Sequence, residues 1–215
     1  ACKDFTATGL ILQDFASLKN TMIDSMHNGY GTELSDILTT LEMQTAIDPP
    51  ILIKWFWDIF IVDALIGNWD RHNGNWGFLY NNATDEIKLA PVYDCGSCLF
   101  PQASEEIMKN TLEDPEERNL RVFEIPLSGI KINGKKIRYF DFISSLQNTD
   151  CNQALKRILA RIDLIKINKI IDETPFISDL QKTFYKTILK ERKEHILNFS
   201  YEKLCKSKSS LSNEN

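Results

Sequence analysis

No run of apolar residues in this 215-residue chain reaches the roughly 18 positions that a helix needs to cross a bilayer. The most hydrophobic stretch, residues 51–69, is interrupted by Lys54, Asp58, Asp63 and Asn68. The start shows no basic n-region, apolar h-region and cleavage site, so a cytoplasmic protein is expected. No basic stripe is present either. Lys and Arg are dispersed and the net charge is -5, so the electrostatic footprint of a nucleic-acid binder is missing. Paired C-x-x-C sets are also absent. Cys95-x-x-Cys98 stands alone without His at zinc spacing, and with Cys2, Cys151 and Cys205 these residues read as reduced thiols. Before residue 70 there is no G-x-G-x-x-G loop to cradle phosphates.

What remains is ample for a folded core: 43% hydrophobic residues and twelve Phe. No internal repeat or linker divides the chain, so residues 1–205 read as one domain, followed by a polar, Ser-rich tail at 206–215 expected to be disordered. Leu10, Ile11, Phe15, Leu18, Met22 and Met26 form a helical stripe over 10–27, which Asn28-Gly29-Tyr30-Gly31 ends. Thr32 can cap a second helix with Leu34, Ile37, Leu38 and Leu41 on one face. Asp48-Pro49-Pro50 opens a third, from about Ile51 to Asn68, apolar most of the way round and therefore buried. Residues 76–80 and 86–92 read as a hairpin about a turn at 81–85. Residues 95–122 look loop-rich. Asn133-Gly134 signals a second hairpin. Helical patterns resume at Asn152, and Thr174-Pro175 reads as the start of a last helix running through Ile196. The fold class is α+β, mostly α.

The chemistry concentrates in Asp70-Arg71-His72-Asn73-Gly74-Asn75 and Tyr93-Asp94-Cys95-Gly96. The first holds an Asp and an Asn in the frame D-x-x-x-x-N; the second supplies another Asp with a Gly two residues on. Phosphoryl transfer needs such a set. One carboxylate accepts the hydrogen bond of the attacking hydroxyl, while a second carboxylate and an amide oxygen give hard ligands for Mg²⁺. The first hairpin brings Asn75 and Asp94, at its outer ends, close in space.

The run Ile66-Gly67-Asn68-Trp69-Asp70-Arg71-His72-Asn73-Gly74-Asn75, followed by Leu89-Ala90-Pro91-Val92-Tyr93-Asp94, resembles the kinase domain of the HipA-like serine/threonine kinases, which pair an N-x-D-x-H-x-x-N loop with P-x-Y-D. It departs from ordinary protein kinases: there is no H-R-D, His72 follows Asp70, Cys95 stands where Phe would be, and no A-P-E follows. The resemblance implies a kinase-like C-lobe, a helical bundle with β-hairpins beside the catalytic loop, with the N-lobe not in this chain. It implies ATP and Mg²⁺ as cofactors, Asp70 and His72 as catalytic residues, and Asn75 and Asp94 on metal and nucleotide. Cys2, Lys3, Asp4 and Phe5 would be the hinge strand facing the adenine. A protein with a Ser or Thr acceptor would be the substrate. An N-lobe segment or second chain would be a partner, nucleic acid would not, and translocation out of the cell fits the resemblance.

Blander readings stand beside these. Asp70 and Asn75 could each be turn residues; the three-residue set weighs against that. Asp94 lies in an apolar stretch, where a carboxylate is rarely buried unless it is a ligand. His72 more readily orients the loop than moves a proton, Gly74 supplies a positive φ, and Arg71 reads as solvated or salt-bridged. The cluster Lys131, Lys135 and Lys136 reads as a solvated hairpin tip. If a phosphate-binding Lys is inside the chain, Lys3 and Lys19 are the first candidates. Two other functions remain open: a non-catalytic, kinase-like binding module, and a lipid or small-molecule kinase.

Overall fold

The structure, a computed structural model, describes residues 4–6, 9–23 and 28–212, with side chains as far as residue 207. It is mostly helical, with two small sheets. The chain groups into two compact units: Ala1–Phe56, Asp70–Gly96 and Gly129–Lys136 make the first, and Trp57–Trp69, Ser97–Ser128 and Ile137–Asn215 the second.

In the first unit, strand β1 (Leu10–Asp14) leads into helix α1 (Phe15–Met22), and α2 spans Leu34–Met43. Strand β2 (Gly77–Asn81) pairs with β1 on one side and β3 (Glu86–Leu89) on the other, both antiparallel. Residues 10–14 are therefore strand, not the expected first turn of a helix, and Met26 lies outside the described residues. The reason is local. The Asp14 carboxylate accepts the Ser17 N–H as an N-cap, so the helix can begin only after it, while the preceding apolar residues take the hydrogen-bond ladder of β2. Gly77 permits this pairing, since a Cβ there would come 2.2 Å from the Gln13 carbonyl oxygen. The core is aromatic: Phe15 and Trp76, both buried, stack at 4.0 Å, with Trp55, Phe56 and Phe78 around them. Thr32 does not cap α2; it donates to the Gly129 carbonyl, and Glu33 takes the N-cap position without a side-chain bond. The Glu33 carboxylate instead accepts the N–H groups of Asn133 and Gly134, at the turn between β4 (Lys131–Ile132) and β5 (Lys135–Lys136). Both turn residues have positive φ, as the Asn-Gly signal requires.

Helix α3 (Pro49–Ile66) is continuous; its first residues belong to the first unit and the rest to the second. In the second unit Trp57 stacks on Phe142, and Phe60 packs on Tyr139 and Phe142. The Arg192 guanidinium is buried among the carbonyls of Ala64, Arg121 and Val122, so its Nε and Nη1 donors are used although it lies out of water. Tyr139 donates to the Asn68 carbonyl and Asn68 to the Asp63 carboxylate, which fixes the chain just past α3.

Residues 95–122 are not loop throughout: α4 (Glu105–Glu113) and α5 (Pro115–Asn119) form there, followed by a π-helical turn at Leu120–Glu124. The acidic pairs and Pro115 are helix-start signals. Ser104 accepts the Ile107 N–H, Asp114 accepts the Glu116 N–H, and the Glu side chains favour the positive helix end. After α6 (Tyr139–Ser145), α7 (Thr149–Leu159) and α8 (Leu164–Glu173), Thr174 ends α8 by bonding back to Ile170 and starts nothing. Helix α9 (Asp179–Arg192) begins with a reciprocal box between Ser178 and Gln181, which satisfies two orphan donors where Thr-Pro would satisfy fewer. Following a π-helical stretch at Lys193–Asn198, α10 spans Phe199–Ser212. Residues 206–212 of the tail expected to be disordered are thus helical, because extending a packed helix costs far less than nucleating one. No helix among the described residues is long and apolar enough to cross a membrane.

Candidate active site

The loop that leaves α3 turns tightly through Asp70–Asn75. The His72 N–H donates to the Asp70 carbonyl at 2.8 Å and the Asn75 N–H to the His72 carbonyl at 2.9 Å. The Asn75 amide Nδ2 donates to the Asp70 carbonyl at 2.9 Å, which leaves its Oδ1 as the ligand-capable atom. The Gly74 N–H donates to His72 Nδ1 at 3.0 Å, so that nitrogen's lone pair is engaged. Gly74 does not have the expected positive φ; it is needed for closeness, because a Cβ would sit 2.9 Å from the Tyr30 ring and 3.0 Å from that of His72.

Asn73 is fully buried and pins the loop from below. Its Nδ2 donates to the carbonyls of Gly29 at 2.7 Å and Gly31 at 2.8 Å, and its own carbonyl accepts the Ala16 N–H. Trp76, buried, closes the loop; Trp69, at its start, is largely exposed.

Arg71 is neither solvated nor on the surface. It is 3% exposed, and its Nη1 donates to the carbonyls of Asn75 at 2.6 Å and Tyr93 at 2.7 Å. Its Nη2 lies 3.6 Å from Cys95 Sγ. The Tyr93 hydroxyl returns a bond to the Gly74 carbonyl at 3.1 Å. Burial, then the charge of Asp14, pushes this phenol up to about 12. The Asn75 and Asp94 segments are therefore tied together twice. Asp94 itself is exposed, not buried as its apolar neighbours suggested, and has φ +51°. Pro91 and Val92 are exposed as well.

Of the expected hinge strand, Cys2 and Lys3 lie outside the described residues. Asp4 and Phe5 form a bend, not a strand: the Thr6 hydroxyl and N–H both donate to the Asp4 carboxylate, hold the chain in a tight turn and keep that carboxyl below its usual range. Phe5 packs its ring 6.0 Å from that of Tyr93, next to Asp94. Lys19 is fully buried with Nζ 3.7 Å from Asp36, so it faces the interior and not a ligand.

Residues 4–168 match the family model described as the HipA-like C-terminal domain. The chain belongs to that family. Among curated proteins, this HipA-like chain is similar to the serine/threonine-protein kinase CtkA of Helicobacter pylori, at 48% identity over 202 residues. That alignment covers 94% of this chain and 62% of the relative, so the chain spans less than two thirds of the relative's length. Among solved structures it is similar to the crystal structure of a Helicobacter pylori proinflammatory kinase CtkA, with TM-score 0.92 and 45% identity over 96% of this chain and 76% of that one.

In this HipA-like domain the described residues contain no group of three or more His, Cys, Asp and Glu side chains placed to hold a metal. The expected metal donors, the Asp94 carboxylate and the Asn75 amide oxygen, are hard oxygens of the kind that suits Mg²⁺, which keeps several positions for water and phosphate. The exposed Asp94 carboxylate is open to such an ion. Sequence reasoning took Asn73 for loop geometry and missed Arg71 and Tyr93 as parts that hold the site. Their backbone partners carry no side-chain signature, so spacing could not reveal them.

Proposed function

We propose that this chain is the C-lobe of an ATP- and Mg²⁺-dependent protein serine/threonine kinase of HipA type. The observation that carries the reading is the double tie, through Arg71 and Tyr93, between the loop bearing Asp70 and Asn75 and the segment bearing Asp94. Two ligand-bearing segments separated by a hairpin are bound to each other by two half-buried bonds.

In this reading the Asp70 carboxylate accepts the hydrogen bond of a Ser or Thr hydroxyl and aims its oxygen at the γ-phosphorus. The bond from that oxygen to phosphorus forms as the bond from phosphorus to the β,γ-bridging oxygen breaks; ADP leaves, and the hydroxyl proton passes late to Asp70. Asn75 Oδ1 and Asp94 would hold Mg²⁺, which when bound neutralises phosphate charge. His72 braces the loop. Its Nδ1 lone pair accepts the Gly74 N–H, and a neutral imidazole has no second one to offer as a base. Phe5, whose ring packs toward Tyr93, would line the adenine side. In this reading the glycine-rich loop and phosphate-binding Lys come from an N-lobe, in the same polypeptide or a second chain; Lys19, for its part, is buried beside Asp36.

The test is a pair of variants in the complete enzyme, assayed by phosphate transfer from ATP to protein and by nucleotide binding. Asp94→Ala should lose Mg²⁺-dependent nucleotide binding and turnover together. Asp70→Asn should keep nucleotide affinity while kcat falls by about 100-fold or more. Equal loss of nucleotide affinity in both would refute these roles. Phosphate transfer to lipid and to no protein would refute the substrate class.

A further inference from the structure

We propose that Arg71 is a positioning residue for the metal site, fixing the reach of Asp94 toward Asn75. This rests on the kinase reading above and goes one layer behind it.

The guanidinium holds the residue on each side of Asp94. Nη1 bonds the Tyr93 carbonyl at 2.7 Å, and Nη2 lies 3.6 Å from Cys95 Sγ. The same Nη1 bonds the Asn75 carbonyl at 2.6 Å. One rigid, planar group thus spans both ligand-bearing segments, which a flexible ammonium on a Lys stem would not reproduce. Asp94 needs such support. Its φ of +51° is a conformation that non-glycine residues adopt at a cost, and it persists only where the surroundings over-determine it. Asn75 is equally constrained: its N–H, carbonyl and Nδ2 are all bonded within the site. Arg71 is itself held from behind. Gly129 approaches so closely that a Cβ there would come 2.8 Å from the Arg71 carbonyl oxygen. A guanidinium placed this way does not touch nucleotide or metal; it sets where the two ligands stand. Partners behind metal ligands typically change metal affinity by about 10- to 100-fold when removed.

The experiment measures Mn²⁺ binding to the complete enzyme, N-lobe included, by electron paramagnetic resonance, in the presence of a non-hydrolysable ATP analogue. Wild type, Arg71→Lys, Arg71→Met, Arg71→Ala and Asp94→Ala are compared, with thermal unfolding of each. The expected result is a Mn²⁺ affinity lowered about 10- to 100-fold in Arg71→Met and less in Arg71→Lys. Guanidinium ion should restore Arg71→Ala toward wild type while leaving Asp94→Ala without binding. Wild-type Mn²⁺ affinity in Arg71→Met, with Asp94→Ala deficient, would overturn the positioning role and leave the kinase reading standing. So would guanidinium restoring the unfolding temperature of Arg71→Ala but not its Mn²⁺ affinity, since that is the mark of a purely structural residue. Unchanged affinity in Asp94→Ala, or no binding by wild type, would overturn the metal assignment and this inference with it.

Discussion

Asn73→Ala tests whether the loop is held from beneath as described. Its Nδ2 supplies the donor for a buried bond to the Gly29 carbonyl and a half-buried one to the Gly31 carbonyl. Truncation leaves the first carbonyl unsatisfied at about 1–3 kcal/mol and the second at about 1 kcal/mol. Against this, Asn73 Oδ1 is buried with no hydrogen-bond partner, and its removal returns about 1 kcal/mol. The net loss is about 2 kcal/mol. In a chain of this length that lowers Tm by about 4–8 °C. Urea titration followed by circular dichroism gives the free energy directly. Asn73→Asp should be worse than Asn73→Ala, because it has no donor and sets an anion against two carbonyl oxygens. A loss under about 0.5 kcal/mol for Asn73→Ala, or an Asn73→Asp variant as stable as wild type, would refute the reasoning.

Two glycines give a matched contrast. Gly29→Ala places a Cβ 1.9 Å from the Ala16 carbonyl oxygen at φ +80°, whereas Gly134→Ala meets nothing within 4 Å at φ +75°. Overpacking and left-handed strain together should cost Gly29→Ala about 3 kcal/mol or more, and strain alone should cost Gly134→Ala about 1 kcal/mol; equal losses by calorimetry would contradict the close approach. Tyr93 should resist ionisation. Its phenol is raised from 10.0 to about 12, so its contribution is fully present below pH 10 and is lost as pH rises toward 12, where the unfolded chain ionises first. Near-ultraviolet titration should show a late phenolate that Tyr93→Phe removes, and a Tyr93 titrating near pH 10 would contradict it.

The HipA-like family was readable in the sequence where residue type and spacing carry it. D-x-x-x-x-N, the hairpin after it and the Asp beyond are all local patterns, and the buried α3 and the Asn-Gly turn followed from periodicity and turn chemistry. The misses share a physical cause. Residues 10–14 have an apolar pattern that suits either period, and the choice fell to a strand 63 positions further on, Gly77–Asn81 facing Asp14–Leu10. Glu105-Glu106 and Asp114-Pro115 looked like loop because helix-start signals and loop composition use the same residues. Arg71 reads as a surface charge until the carbonyls of Asn75 and Tyr93 are placed beside it, and backbone carbonyls leave no trace in a sequence.

Neither compact unit is a single stretch of chain, and this bears on the order in which the protein can be made. The first unit draws on residues up to Phe56, then Asp70–Gly96, then Gly129–Lys136. As the polypeptide leaves the ribosome, the loop and its Arg71 and Asn73 bonds can form once residue 96 has emerged. The Gly129 backbone that backs Arg71, and the Thr32 and Glu33 bonds to residues 129–134, must wait for some forty residues more. Until then the Thr32 hydroxyl and the Glu33 carboxylate lack their partners in that hairpin. Long-range closures of this kind fold slowly and expose apolar surface on the way. Translation pauses between residues 96 and 136 would therefore lengthen the interval in which the nascent chain most needs a chaperone.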